Sequence, residues 1–329
     1  MAGQLNRQRV AIVGCGNIAG PYAEDLKSYP QVELVGAADL DPARASSFAA
    51  AHGIRAYADV DSLLNDPQVQ IVVNLTSHFA HREISERCLL AGKHVYSEKP
   101  LATTAEDARH LVDVAQRQGV RLACSPFTLM GEAQQTAWKW IRDGKLGKVR
   151  VAYAEVNWGR IESWHPAPGP FYEVGALFDV GVYPLAILTA MFGPVQRVTS
   201  YGKVLHPDRM TQDGTPFQIS TPDFVVTMIE TEGGAVIRLT TDFYVSNQTT
   251  RQTGIEFHGD EGSLFMESWG EPGSRLQYAR FGEPFEDIPL LGDTPNGSIR
   301  WGQGVYELVQ AIEAGRAHRF SGEHAAHVT

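Results

Sequence analysis

The sequence predicts an α/β protein in which a doubly wound parallel sheet over residues 1–125 precedes an α+β domain over 126–329. In the first part, apolar runs of strand length alternate with helical segments, which is the pattern of a parallel sheet covered on both faces. After Lys148 the texture changes to strand-like runs with long connections. One pair of these runs flanks the hairpin turn Glu232-Gly233-Gly234, so the second sheet is at least partly antiparallel. With 329 residues, 43% of them hydrophobic, the chain can fill two cores.

The first strand and the turn after it, residues 9–20, carry the most informative motif. An apolar run stops at glycines, and the following stretch can continue as a helix. Gly14 lets the chain turn, Gly16 lets backbone N–H groups approach a pyrophosphate, and Ala19 is small enough for the helix to pack on the strand. The phosphates would lie at the helix N-terminus. The alternative is an ordinary strand-to-helix turn.

A second strand over 32–38 ends at Asp39, where a dinucleotide site needs a carboxylate for the ribose hydroxyls. This spacing favours the dinucleotide interpretation. It also predicts NAD over NADP, because the carboxylate repels a 2′-phosphate and the next residues, Leu40 and Asp41, offer that phosphate no cation. Arg44, one helical turn later, is the residue that could reach it.

The other elements of the first domain follow in order. They are a helix over 42–51, a helical turn at 63–66, a strand over 71–75, a helix over 82–91, a strand over 94–97, a helix from the capping box Thr103-x-x-Glu106 to Gln118-Gly119, and a strand over 121–124. A helix over 132–143, ended by Gly144, leads out of this domain.

The second domain contains strand-like runs with one helical insert. The strands are expected over 149–157, 197–203, 224–230, 235–244 and 255–258, the insert over 177–192, irregular surface between 269 and 293, and a final helix over 303–314. Pro184 lies inside the insert, so we expect a kink or a late helix start there.

Composition excludes several partners. The net charge of −10 and the lack of a Lys/Arg cluster argue against nucleic acid. No stretch approaches the roughly twenty apolar residues that span a bilayer, and no secretory leader is recognisable. Cys15, Cys88 and Cys124 are an odd, widely spaced set, which predicts free thiols and a cytoplasmic protein. His324 and His327 lack a third ligand, so we expect a solvated tail and no metal.

Glu98-Lys99-Pro100 after the fifth strand, the glycine loop and residues 175–183 together resemble the Gfo/Idh/MocA oxidoreductases over nearly the whole chain. The resemblance implies a Rossmann domain followed by a larger, open-sheet domain for substrate binding and oligomerisation. It also implies oxidation or reduction of sugars, polyols or related hydroxy compounds with NAD(H) or NADP(H), and a homo-oligomer, either a dimer or a tetramer. A cis Lys99-Pro100 bond is expected on the same ground.

The resemblance assigns catalytic roles to Lys99, Asp179 and position 183. Position 183 is tyrosine here instead of the family's histidine, as in the subgroup of glucose-fructose oxidoreductase and the dihydrodiol and xylose dehydrogenases. Lys99 follows the carboxyl end of a parallel strand, where open α/β sheets bind ligands. Asp179 and Tyr183 are four apart and would share one helix face. A solvated lysine and a buried, structural tyrosine are the alternatives.

The expected cofactor residues are those of the glycine loop, of the second strand's end and of the later strand ends: Gly14, Gly16, Asn17, Ile18, Asp39, Leu40, Arg44, Thr76, His81, Glu98 and Lys99. Beyond the end of a strand, Trp158, Arg160, Trp164 and His165 form either a substrate wall or a packed loop. The expected substrate contacts are Lys99, Arg160, Trp164, His165, Asp179 and Tyr183.

The sequence thus favours an NAD-dependent dehydrogenase in which Tyr183 transfers the proton, Lys99 supplies a fixed charge and Asp179 orients the substrate. Two other functions stay open. One is a redox-neutral glycosidase that retains its NAD, and the other is an NAD-binding regulator without catalysis.

Overall fold

The computed structural model describes residues 7–246, 248–249, 252–292 and 299–329. The chain forms two compact units. The first comprises Met1–Phe127, Arg300–His327 and Thr329, and the second comprises Thr128–Ile299 and Val328. The segment 300–327, which the sequence analysis grouped with the second domain, therefore belongs to the first compact unit.

The elements of residues 7–127 alternate strictly between strand and helix. They are β1 (Gln8–Val13), α1 (Ala19–Lys27), β2 (Val32–Ala38), α2 (Pro42–His52), β3 (Arg55–Ala56), α3 (Val60–Leu64), β4 (Ile71–Asn74), α4 (His81–Leu90), β5 (His94–Ser97), α5 (Ala105–Gln118) and β6 (Leu122–Cys124).

The described part of the second unit is richer in strands. Its elements are α6 (Glu132–Arg142), β7 (Val149–Asn157), α7 (Gly169–Val174), α8 (Ala176–Asp179), α9 (Val182–Phe192), β8 (Val195–Lys203), β9 (Asp208–Met210), β10 (Pro216–Gln218), β11 (Phe224–Thr231), β12 (Val236–Asp242), β13 (Ile255–Gly259), β14 (Gly262–Met266), β15 (Leu276–Arg280) and β16 (Glu286–Ile288). Two helices of the first unit follow, α10 (Gln303–Glu313) and α11 (Gly322–Val328).

The first unit is a parallel six-stranded sheet in the order β3-β2-β1-β4-β5-β6. Alternate residues of β1 enter different cores: Val10 and Ile12 pack in the cluster that contains α1 and α10, while Ala11 and Val13 pack with α4 and α5. Because the strands are parallel, the carboxyl ends of β1, β2, β4 and β5 lie at one edge of the sheet, where such sheets bind ligands.

The C-terminal segment is anchored to α1 of the same unit. The guanidinium of Arg300 donates to Asp25 Oδ1 at 2.6 Å, and the N–H of Gly302 donates to Asp25 Oδ2 at 2.8 Å. The ring of Tyr306 stacks on Tyr29 with 4.0 Å between centroids. Residues 303–313 thereby complete one face of the first unit.

The second unit contains an eight-stranded sheet in the order β16-β15-β14-β13-β7-β12-β11-β8. Every neighbouring pair is antiparallel except β7 and β12, and β11 and β12 are joined by the predicted hairpin. The α/β class, with a doubly wound sheet and a mostly antiparallel one, is confirmed.

Three local expectations were wrong. Residues 269–293 are not all irregular, since β15 and β16 lie within them, and the tail that contains His324 forms helix α11, whose Ala326 is buried. The helix after β5 is capped by Thr104, whose Oγ1 accepts the N–H of Asp107, and not by Thr103. The insert 177–192 is divided into α8 and α9, which agrees with the break expected there. Residues 293–298, which include the end of the segment expected to be irregular, lie outside the described residues.

Among the residues that the structure describes, no helix is both long enough and apolar enough to span a membrane.

Candidate active site

The glycine loop after β1 has two glycines with opposite surroundings. Gly14 has φ +97°, and a Cβ there would lie 2.7 Å from the carbonyl of Leu75 and 2.8 Å from the nitrogen of Thr76. Both the dihedral angle and the approach of this backbone exclude a side chain. A Cβ on Gly16, in contrast, would have no atom within 4 Å. Gly14 therefore serves the fold, while Gly16 leaves an open cradle.

The cradle faces the start of α1. No side chain caps this helix within the described chain, and its first turn contains no acidic residue. Ile18 is the N-cap, and the exposed Asn17 precedes it. The N-terminal N–H groups and the helix dipole both favour an anion. Open space beside an uncapped helix start fits the pyrophosphate of a dinucleotide.

Asp39 lies at the end of β2 and is buried. Its Oδ2 accepts the N–H of Cys15 at 2.7 Å, and its Oδ1 accepts the N–H of Asp41 at 2.8 Å. The carboxylate thus joins the glycine loop to the turn after β2. Burial, followed by the Asp39 charge, raises the pKa of the Cys15 thiol to about 12, so this thiol stays protonated.

The surroundings of Asp39 distinguish two further predicted cofactor residues. Leu40 is fully exposed, with a relative accessibility of 101%, so an apolar side chain stands free beside the carboxylate. The guanidinium of Arg44 lies 3.8 Å from Asp39 Oδ1 and 4.0 Å from Asp41 Oδ2. The Arg44 guanidinium is therefore already shared by two carboxylates.

The segment after β4 is held by two side chains, one that accepts hydrogen bonds from it and one whose ring lies against main-chain carbonyl groups. Asn74 Oδ1 accepts both the N–H and the hydroxyl of Thr76, at 3.2 and 2.7 Å. The buried ring of His81 places Nδ1 2.7 Å from the carbonyl oxygen of Pro100 and Nε2 3.1 Å from that of Thr76. Burial lowers the pKa of His81 to about 4, so the ring is neutral at pH 7. His81 connects the end of β4 to the turn after β5.

That turn presents Lys99. The Lys99-Pro100 bond is cis, as predicted, and so is Ser125-Pro126. Glu98 is buried; its Oε2 accepts the N–H of Lys99 at 3.0 Å and its Oε1 accepts the hydroxyl of Tyr22 at 2.6 Å. Both carboxylate oxygens are thus occupied within the unit, whereas the side chain of Lys99 is half-buried.

In the second unit, Asp179 and Tyr183 lie on either side of a helix break. Asp179 is the buried last residue of α8, and Tyr183 is the second residue of α9. The late helix start at Val182 confirms the expectation for Pro184, which falls in the first turn, where a missing N–H costs no helical bond. The idea of one continuous face for Asp179 and Tyr183 was wrong.

An aromatic stack orients Tyr183. Its ring lies 4.6 Å from that of Trp269 with an interplanar angle of 20°, and Trp269 stacks in turn on Trp158 at 6.1 Å and 24°. The indole N–H of Trp269 donates to the carbonyl of Glu155 on β7 at 3.3 Å. The ring of Tyr183 is therefore held through Trp269 by strand β7.

The expected substrate-wall residues separate into two groups within this unit. The guanidinium of Arg160 lies over the ring of Tyr244 at 4.8 Å. Trp164 and His165 pack edge to face, 5.5 Å apart, and both pack against Phe171. Trp164 remains 45% exposed, which leaves an aromatic surface open beside the loop.

Sequence reasoning missed Tyr22, Asn74 and Trp269. Nothing local marks Tyr22 or Trp269: Tyr22 contacts a residue 76 positions later, and Trp269 lies in a segment that was expected to be irregular. Asn74 ends a strand that was recognised, and a polar side chain at that place is the one available signal.

These features define an NAD(P)-binding Rossmann unit of the oxidoreductase type, and comparisons with known proteins agree. The family model described as "Oxidoreductase family, NAD-binding Rossmann fold" matches residues 8–125, and the one for the GFO/IDH/MocA C-terminal domain matches residues 134–265. The chain belongs to the GFO/IDH/MocA oxidoreductase family, which confirms the resemblance.

Two curated relatives support the subgroup. Trans-1,2-dihydrobenzene-1,2-diol dehydrogenase of Mus musculus is 30% identical over 236 residues, which are 69% of this chain and 66% of the relative. The 1,5-anhydro-D-fructose reductase of Ensifer adhaerens is 28% identical over 264 residues, 78% of this chain and 74% of that protein. The matched part spans just under two thirds of the dihydrodiol dehydrogenase. The fold is shared with an NAD binding oxidoreductase from Klebsiella pneumoniae, with a TM-score of 0.86, 23% identity, and coverage of 98% and 94% of the two chains.

Proposed function

We propose that this chain is a nicotinamide-dependent dehydrogenase or reductase that acts on a hydroxyl or carbonyl group of a sugar, polyol or related compound. The observation that carries the proposal is the open cradle at Gly16 beside an uncapped helix start, with Asp39 at the neighbouring strand end. The names of the two curated relatives, a diol dehydrogenase and a sugar reductase, support the substrate class.

The residues that would hold the cofactor follow from this arrangement. The main chain around Gly16 and Ile18 would bind the pyrophosphate, Asp39 the adenosine ribose, and Leu40 would cover an apolar face of the adenine. The nicotinamide, when bound, supplies the hydride chemistry. The chain's own residues place the reacting carbon, move the hydroxyl proton and stabilise charge on oxygen.

NAD is the proposed cofactor rather than NADP. Asp39 and Asp41 present two carboxylates at the ribose position, and Arg44 is already within 4.0 Å of both. A 2′-phosphate would meet negative charge and compete for an engaged guanidinium. Tighter binding of NADPH than of NADH in a titration would contradict this choice.

We assign proton transfer to Tyr183, with Lys99 as the fixed positive charge and Asp179 as the group that orients the substrate. The Trp269 stack holds the phenol ring in one orientation, as a proton-transfer group requires. A free phenol titrates near pH 10, and an ammonium group nearby favours the phenolate. The proposal therefore requires Lys99 and Tyr183 to act on the same substrate.

The test is a screen of sugars, polyols and inositols for NADH formation, followed by Tyr183→Phe. This variant keeps the ring and its stacking and removes only the hydroxyl. We expect turnover to fall at least about a hundredfold with NADH affinity near wild type. Tyr306→Phe, which removes another partly buried tyrosine hydroxyl, is the matched control. Wild-type turnover in Tyr183→Phe would move the proton transfer to Lys99.

The same screen separates the alternatives. A redox-neutral glycosidase would release a sugar without releasing NADH, and a regulator would bind NADH with no turnover of any compound. The tightly held turn of Lys99 and the stacked ring of Tyr183, each within its own unit, favour catalysis.

We also propose a homo-oligomer formed through the second unit's sheet. Tyr153, Arg238 and Met228 are direct neighbours across three strands, and Tyr201 of edge strand β8 lies on the same face. Met228 is 44% exposed and Tyr201 60%. Exposed apolar surface of this kind marks protein contacts. Light scattering after size-exclusion chromatography would test this, with Met228→Lys expected to shift the protein towards monomer.

The cytoplasm is the proposed compartment. Cys15, Cys88 and Cys124 are all buried free thiols, which suits reducing surroundings.

A further inference from the structure

A buried hydrogen-bond chain connects helix α1 to the turn that carries Lys99. The hydroxyl of Tyr22 donates to Glu98 Oε1 at 2.6 Å, and Glu98 Oε2 accepts the N–H of Lys99 at 3.0 Å. Tyr22 is fully buried and Glu98 is 6% exposed. A carboxylate this far from water is stable only when its oxygens receive hydrogen bonds.

The main chain of Glu98 is held from two neighbouring strand ends. Its N–H donates to the carbonyl of Asn74 at 2.9 Å, and its carbonyl lies 3.6 Å from the thiol sulfur of Cys124. The side chain of Glu98 therefore extends from a fixed backbone. Its direction towards Tyr22 and the Lys99 N–H is built into the sheet edge.

Tyr22 is equally fixed. Its ring packs against Tyr96, with centroids 6.4 Å apart, and against Trp301, at 5.9 Å. Its N–H donates to the carbonyl of Ile18, the N-cap of the helix that faces the cradle. Burial, and next the charge of Glu98, raise the pKa of Tyr22 well above its usual value, so its hydroxyl stays a donor.

We propose that Tyr22 and Glu98 are positioning residues, which hold the backbone of Lys99 in one orientation relative to the helix that receives the dinucleotide phosphates. This inference rests on the proposed function for the role of Lys99. It gives Glu98, which the sequence placed among the cofactor contacts, a role in the turn, since one oxygen accepts from Tyr22 and the other from the Lys99 N–H. Loss of the chain would impair turnover more than dinucleotide affinity, because the cradle at Gly16 remains intact.

The decisive variant is Tyr22→Phe, compared with Tyr96→Phe. Both tyrosines are fully buried in the same cluster, but the hydroxyl of Tyr22 donates to Glu98, whereas that of Tyr96 faces Ser125 and Tyr22. Each variant removes one hydroxyl and leaves the ring. If the tyrosines serve packing alone, the two variants should change Lys99 amide exchange and turnover equally. If Tyr22 holds the turn through Glu98, only Tyr22→Phe should change them.

Two readouts are measured on the full chain. Hydrogen exchange of the Lys99 amide should become at least tenfold faster in Tyr22→Phe and stay unchanged in Tyr96→Phe. Turnover should fall at least tenfold in Tyr22→Phe, with the NADH dissociation constant within threefold of wild type. In Tyr22→Phe/Glu98→Gln, where the stranded charge is removed, thermal stability should recover and turnover should not.

Unchanged exchange at Lys99 in Tyr22→Phe overturns the inference, and so do equal effects of the two phenylalanine variants or a turnover within twofold of wild type. The exchange readout needs no substrate. If the wild-type protein oxidises no alcohol, the proposed function fails, while the exchange result still decides whether Tyr22 and Glu98 hold the Lys99 backbone.

Discussion

The two glycines of the first loop allow one prediction to be worked out in full. Alanine at Gly14 forces a left-handed backbone on a residue with a Cβ, at a cost of about 1–2 kcal/mol. The new Cβ also meets the main chain of Leu75 and Thr76 at 2.7–2.8 Å, and backbone cannot move aside as a flexible side chain would. Overpacking of this kind costs about 1–3 kcal/mol. The alanine also restricts the unfolded chain, which stabilises the folded state by about 0.4–1 kcal/mol.

We therefore expect Gly14→Ala to lower the unfolding free energy by about 2–4 kcal/mol, a large part of a typical total of about 5–15 kcal/mol. Gly16→Ala has open space and no left-handed backbone, so its stability should stay within about 1 kcal/mol of wild type. The same open space is the cradle. NADH affinity of Gly16→Ala should fall at least tenfold, which is about 1.4 kcal/mol.

Urea unfolding of the cofactor-free protein and fluorescence titration with NADH measure the two effects separately. Gly169→Ala, another open position without a left-handed backbone, is the control and should change neither. NADH affinity within twofold of wild type in Gly16→Ala would refute the idea that the dinucleotide binds in the cradle at Gly16. A loss below about 1 kcal/mol in Gly14→Ala would refute the argument from backbone approach.

Four further predictions concern charge. Asp39→Ala should weaken NADH binding and narrow its advantage over NADPH in paired titrations; an unchanged ratio would remove Asp39 from cofactor selection. Lys99→Ala should lower turnover and shift the alkaline limb of the pH-rate profile, and an unshifted limb would deny it an electrostatic role. Burial lowers the pKa of His81 to about 4, so the unfolding free energy of the first unit should fall by up to about 3 kcal/mol as pH falls from 6.5 to 4. His81→Gln should not show this loss. Burial raises the pKa of Asp242 to about 6, so the second unit should gain stability as pH falls from 6 to 4, by up to about 2–3 kcal/mol. Hydrogen exchange resolved by unit checks both signs, and opposite slopes would contradict them.

The first unit was predictable because its signals are local. Strands β2 and β5 were predicted with their observed bounds, since each is a short run that ends abruptly at the site edge. The error at α5 was one residue, because Thr103 and Thr104 are each followed three positions later by an acidic residue. Local chemistry cannot separate two overlapping caps.

The second unit was less predictable because its outer strands carry little apolar pattern. Only two residues of β15 are buried, Leu276 and Ala279, and β16 reads Glu-Asp-Ile. The break before α9 was anticipated from Pro184, but the need for glycine at position 181 was not, since a Cβ there would lie 2.5 Å from the carbonyl oxygen of Leu177. That crowding is a property of the folded chain.

The residues of the site differ in the same way in how far they could be predicted from the sequence. The glycine loop, Asp39 and the Lys99 turn could be recognised because each is a short motif at a strand end. The contacts that hold them could not, because they join distant positions: Tyr22 to Glu98 across 76 residues, and His81 to Pro100 across 19.

These contacts form one continuous path through the first unit. Gly14 packs on the backbone of Leu75 and Thr76, the carbonyl of Thr76 faces His81, and His81 faces Pro100 beside Lys99. The loop that would bind phosphate and the turn that presents the lysine are therefore not independent. A Cβ at Gly14 should disturb Lys99 as well as the loop, so the Lys99 amide should exchange faster in Gly14→Ala than in Gly16→Ala under the same native conditions. Equal exchange in the two variants would show that the end of β4 does not transmit the disturbance.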